Sequence, residues 1–175
     1  RHLLAASALV AAGAATGVGA VAWRWWDQPA DTPYVALSPD EIAILDALAD
    51  ACFPPGGTPP MGGAEAGVAR YFDGVLAGLE PTQRKLLKVG LHALDAAPLA
   101  THGGYLTELP VVDASAAVAG MLASSRHEIR GLAQSLSLFV GMAWFAHPDV
   151  RAIVGPGFAC GYADLGGLPG RLGAG

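Results

Sequence analysis

Charge is scarce in this 175-residue chain: Asp, Glu, Lys and Arg make up 14% of it and leave a net charge of −5. So little charge beside 53% hydrophobic residues excludes a disordered acidic chain, and the want of a charged heptad excludes a coiled coil. The basic triplet Arg84, Lys85 and Lys88 has no aromatics interleaved and sits in a net negative domain, which leaves nucleic acid without support as a partner. Cysteine is scarce too: there are two, with no Cys-x-x-Cys, and no His-x-x-x-His occurs, so zinc-site spacings are missing. No run of six or more residues alternates with period two, apart from a weak trace around Val111-Val112, so strands are not needed.

Apolar residues are what is there, and they are unevenly placed. Mean hydropathy is +0.41, high for a water-soluble domain. From Leu3 to Ala22 no residue is charged, and at about 1.5 Å per residue such a helix spans the roughly 30 Å core of a bilayer. Its lead, Arg1-His2-Leu3-Leu4, resembles the end of a twin-arginine export signal, with Ala20-Val21-Ala22 as a signal-peptidase pattern. Trp23, Trp25 and Trp26 follow with Arg24 among them, the aromatic belt of a membrane–water boundary; packing on the following domain is the plainer alternative. All 15 acidic residues lie in 27–175 against 8 basic ones (the chain's 10 less Arg1 and Arg24), while the short N-terminal flank is basic. The expectation is a retained single-pass anchor in the cytoplasmic (inner) membrane, with the domain on the periplasmic or extracytoplasmic side.

The expected organisation is all-α. Residues 1–26 are the transmembrane anchor and 27–37 a linker with Pro29 and Pro33. Residues 38–154 form a small irregular helical domain of about five helices with Gly/Pro-rich loops, and 155–175 an extended Gly/Pro-rich tail ordered on a partner. The first helix starts at a capping box, Ser38 with Glu41, and Pro39; its stripe is Ile42, Leu45, Leu48, Ala49 and Cys52, and Pro54-Pro55 end it. A second runs over 64–79, burying Val68, Tyr71, Phe72, Val75 and Leu76. A third runs over 81–96 with Leu86, Leu87, Leu91 and Leu94 inward and Arg84, Lys85 and Lys88 on a solvated face. Asp113 caps a fourth, containing Val118, Met121 and Leu122. The fifth, 128–146, is apolar all round from Leu136 on, so it is either central or shared with another protein. That apolar part, about eleven residues, is short for a bilayer span.

Chemistry is hard to find. His2, His92, His102, His127 and His147 are scattered, and His127-Glu128 is a neighbour pair that a helix turns apart. Ser124-Ser125, Ser135 and Ser137 lack the glycine-flanked elbow of a hydrolase, and Gly155-Pro156-Gly157 and Gly166-Gly167 lack the strand–helix setting of a phosphate loop. Asp40-Glu41 suits the positive end of a helix, and Asp46 with Asp50 reads as an exposed face. Cys52 and Cys160 have three readings: paired together, one bridged to a partner chain, or both reduced. Burial as a thiol suits Cys52, and the loop around Cys160 suits a bridge. The expected catalytic, cofactor and metal residues are therefore none. Phe139, Trp144, Phe145, Phe158 and Cys160 are the candidate partner contacts.

The order Leu37-Ser38-Pro39-Asp40-Glu41, Leu45-Asp46-Ala47-Leu48-Ala49-Asp50, Phe53-Pro54-Pro55, Gly63-Ala64-Glu65-Ala66-Gly67-Val68 and Gly90-Leu91-His92-Ala93-Leu94-Asp95 resembles the gluconate 2-dehydrogenase subunit 3 family, over roughly 37–162. The resemblance implies a non-catalytic, signal-bearing accessory subunit that binds no cofactor. It would anchor, stabilise and help export a large flavoprotein dehydrogenase holding FAD, beside a cytochrome c subunit, with haem or iron–sulfur groups confined to the partners. The rival expectation is a structural clamp in another membrane energy-converting, electron-transfer complex, and a third is a free-standing enzyme with an unrecognised site.

Overall fold

A computed structural model describes residues 28–154, and these are all-helical, with no strand among them. The anchor, its tryptophans and the tail with Phe158 and Cys160 lie outside the described residues. The five expected helices are present as α1 (Pro39–Cys52), α2 (Val68–Ala77), α3 (Pro81–Ala96), α5 (Val111–Leu122) and α6 (His127–Ala146). Two short helices join them, α4 (Leu99–His102) and α7 (Pro148–Val154), with a 3-10 turn at Leu106–Glu108.

α1 begins as its sequence dictates. The Ser38 hydroxyl accepts from Glu41 N–H while the Glu41 carboxylate accepts from Ser38 N–H, and Pro39, which has no N–H to satisfy, takes the first helical position. Phe53 N–H closes the last turn on Ala49 C=O, and Pro54-Pro55 cannot continue the ladder. The loop that follows returns to where it left. Gly63 N–H donates to Phe53 C=O at 2.9 Å, and Ala64 N–H to Asp50 Oδ1 at 2.9 Å. Only glycine fits at 63, because a Cβ there would stand 2.2 Å from the Ala49 carbonyl oxygen.

α2 starts at Val68 rather than Ala64, because Gly67 takes a left-handed conformation (φ 71°) and breaks the path into the helix. Its inward face is Val68, Ala69, Phe72, Asp73 and Leu76; Tyr71 is exposed and Asp73 takes a buried place. Asp113 sits in the first turn of α5, whose N-cap is Pro110, so it favours the helix dipole without capping.

α1 lies in the middle, packed against α2, α3, α5 and α6. Ser115 Oγ on α5 donates to Ala51 C=O at 2.8 Å, and Leu45, Leu48, Phe72, Leu76, Leu91, Leu94, Leu136 and Val140 fill the space between the helices. In α1 the buried stripe is centred on Ile44, Leu45 and Leu48, with Ile42 and Cys52 at its margin. α6 is not buried all round. Ala133, Leu136, Val140, Ala143 and Trp144 face the core, whereas Leu138 is 65%, Met142 48% and Phe145 40% exposed. Its 20 residues have the length and apolar composition of a membrane span, but one side of the helix is occupied by the domain's own core.

Candidate functional site

The residues that sequence reasoning weighed for chemistry are dispersed. His102 is exposed, with Thr101 Oγ1 2.8 Å from its Nδ1. The His127 ring stands 3.2 Å from Glu128 on an open surface. Among the described residues no three His, Cys, Asp or Glu side chains come together in a way that could hold a metal ion. Asp46 and Asp50 are half-buried rather than an exposed pair, and the returning loop uses Asp50 as an acceptor. Burial, with the Asp50 charge one turn away, pushes the Asp46 carboxyl up to about 6.

The structure does gather charges where the sequence showed none meeting. Lys88, expected on a solvated face, is 5% exposed, and its Nζ lies 2.9 Å from Oε2 of Glu41, which is 0% exposed. α3 turns Lys88 inward on the same side as Leu91, and a lysine there requires an opposite charge. Leu86, expected inward, is the exposed residue instead. His92, one turn beyond Lys88, places Nε2 3.8 Å from the other Glu41 oxygen. Burial raises the Glu41 carboxyl's affinity for protons, but His92, Lys88 and the Ser38 N–H outweigh it, and the net effect is a lowered pKa. Chemically this is structural work: one carboxylate caps α1 and fastens it to α3. Arg84 also holds structure, its guanidinium donating to the carbonyls of Leu76, Ala77 and Leu79 at the end of α2. Periodicity finds neither role, because it scores apolar spacing and is blind to the carbonyls and carboxylates that a folded-back chain presents.

The candidate partner contacts on α6 divide. Trp144 is 6% exposed; its ring stacks on Phe53 at 4.1 Å and 8°, and its Nε1 donates to Met61 C=O at 3.2 Å. It therefore ties α6 to the Pro-rich loop. Phe139 is half-buried, edge-on to Phe72 at 5.7 Å. Phe145 packs edge-on to Phe53 and Trp144 while keeping 40% of its surface open, and it continues the ridge of Leu138 and Met142, two side chains that sequence reasoning did not single out as partner contacts. Spacing of four and three residues could have found them, since it sets all three on one line of a helix. Cys52 is half-buried with Sγ 3.7 Å from Ser137 Oγ, and burial pushes its thiol pKa up.

A small all-α domain that seals charges between its helices and turns a charge-free ridge outward has the build of a subunit. The sequence profile described as gluconate 2-dehydrogenase subunit 3 matches residues 39–145, and the chain belongs to that family. No curated protein and no solved structure matches the chain.

Proposed function

We propose that this chain is a non-catalytic accessory subunit of a flavin-dependent dehydrogenase, held at the extracytoplasmic face of the cytoplasmic membrane by the segment before residue 28. In this reading FAD and substrate belong to the large subunit, a cytochrome c subunit receives the electrons, and the N-terminal segment supplies both the export address and the anchor. The observation that supports it best is membership of a family described as a dehydrogenase subunit, with the match spanning all five long helices almost to the end of α6. The face offered to the large subunit is the ridge of Leu138, Met142 and Phe145. From Gly131 to Pro148 no residue is charged, so burying this face against another protein strands no ion.

Purification of the full-length chain from its native membranes tests the reading. A flavin-containing chain in about equimolar amount is expected, with a flavin absorption band that bleaches on reduction. Replacing Leu138 and Met142 together by Ser should reduce its recovery while the melting temperature holds. A chain that runs alone, or one accompanied by haem without flavin, would sink the proposal.

A further inference from the structure

Four consecutive main-chain N–H groups, those of Val35, Ala36, Leu37 and Ser38, end on two buried carboxylates. Asp73 Oδ2 accepts from Val35 at 2.9 Å, and its Oδ1 accepts from Ala36 at 2.8 Å and Leu37 at 3.0 Å. Glu41 Oε2 accepts from Ser38 at 2.8 Å. Backbone amides outside a helix or sheet must find acceptors when buried, and hydrogen bonds to an ionised carboxylate are among the stronger ones. Upstream, Asp31 N–H donates to Leu37 C=O at 2.9 Å and Tyr34 N–H to Asp31 C=O at 2.6 Å, which folds 31–37 back on itself. Ala36 and Leu37 are buried, Tyr34 packs on the core, and Gln28 Nε2 reaches Asp40 Oδ2 at 3.2 Å.

We infer that residues 28–37 are a latched strap rather than a tether, and that Asp73 is its catch. As a flexible linker, ten residues would let the domain wander by roughly 17 Å and reach about 33 Å when drawn out. Latched, the strap delivers the preceding chain to one place, the N-terminal end of α1 beside α2, and removes that freedom. The catch is independent of Glu41: it stands on a different helix and takes three of the four amides. Its bearing on the distance between domain and bilayer rests on the anchoring proposed above; the latch itself does not.

Hydrogen exchange on the full chain in detergent, read by mass spectrometry, tests the latch. In the wild type the amides of 35–37 should exchange at least on the order of 100-fold more slowly than those of Gly57 and Thr58 in the exposed loop. Asp73→Asn keeps the volume and one acceptor oxygen but sets an NH2 group against an incoming N–H. It should speed exchange at 35–37 by on the order of 10- to 100-fold, with α5 amides and the melting temperature little changed. The inference is overturned if 35–37 exchange as fast as the loop in the wild type, if Asp73→Asn leaves them unchanged, or if strap and α5 lose protection equally. The wild-type comparison decides alone should the variant not fold. A chain washed from membranes by carbonate with 35–37 still protected would sink the anchoring reading and leave the latch standing.

Discussion

The α1–α3 side of the domain and the outer side of α6 break the usual arrangement of polar and apolar groups in opposite directions. On the first, Glu41, Lys88 and Asp73 are inside. On the second, Leu138, Met142 and Phe145 are outside. The first departure is settled within the chain: Lys88 and the Ser38 N–H meet Glu41 Oε2, His92 stands 3.8 Å from Oε1, and the strap's amides meet both oxygens of Asp73. On the second, no charged residue between Gly131 and Pro148 rims the ridge. Buried charge here fixes which parts of one chain meet; exposed apolar surface leaves a contact to be completed by something else.

The contrast can be broken experimentally, most forcefully at Lys88. Lys88→Met leaves the Glu41 carboxylate buried without its ammonium and should cost about 3–5 kcal/mol in urea unfolding. Adding Glu41→Gln should recover part of that loss, and a double variant less stable than the single would contradict the ion-pair account. Trp144→Ala should cost about 3 kcal/mol, since it empties the stack on Phe53 and orphans the Met61 carbonyl. If the melt holds and only partner recovery falls, Trp144 belongs to the interface and not to the core.

A pH series separates two acids of opposite sign. Asp46, raised to about 6 from 3.8, binds its proton more readily folded than unfolded, so stability should climb as pH falls from 7 toward 4. Half-exposure limits the gain to on the order of 1 kcal/mol, and Asp46→Asn should abolish it. Glu41 is depressed below 4.5, so its contribution is intact above that value and drains away as pH falls through its folded pKa. Stability should therefore pass through a maximum on the acid side of neutrality. The smallest effect is expected at the ridge, where Leu138→Ser should shift unfolding by no more than about 0.5 kcal/mol.

How much of this was legible in the sequence depends on how local the cause is. Ser38, Pro39 and Glu41 announce the start of α1, and Pro54-Pro55 its end, because caps and breakers act within a turn. The ends of α3 and α6 were readable within a residue for the same reason. Lys88 was misassigned because its partner is on α1, and a helical wheel for α3 contains no trace of Glu41. Asp73 was passed over for Tyr71, since nothing in 64–79 reveals that Val35, Ala36 and Leu37 would need acceptors there. The over-apolar second half of α6 was visible, and so was the choice between central and shared; which of its side chains face out required the neighbouring helices to be in place.

The Pro-rich loop after α1 offers a practical consequence. It leaves at Phe53 and returns at Gly63 against the same turn, and its tip at 54–58 is exposed. A loop whose two feet are already stitched together can grow at little cost, about 0.6 kcal/mol for each doubling of length. Gly57, exposed at the tip, where a side chain would meet only the Pro54 and Pro59 carbonyl oxygens at ordinary contact distances of 3.6 and 3.7 Å, is therefore the place to insert a short epitope or a fluorophore-binding peptide. Such a handle would stand away from the strap, and it would let an assembled complex be captured or imaged without disturbing either end of the chain.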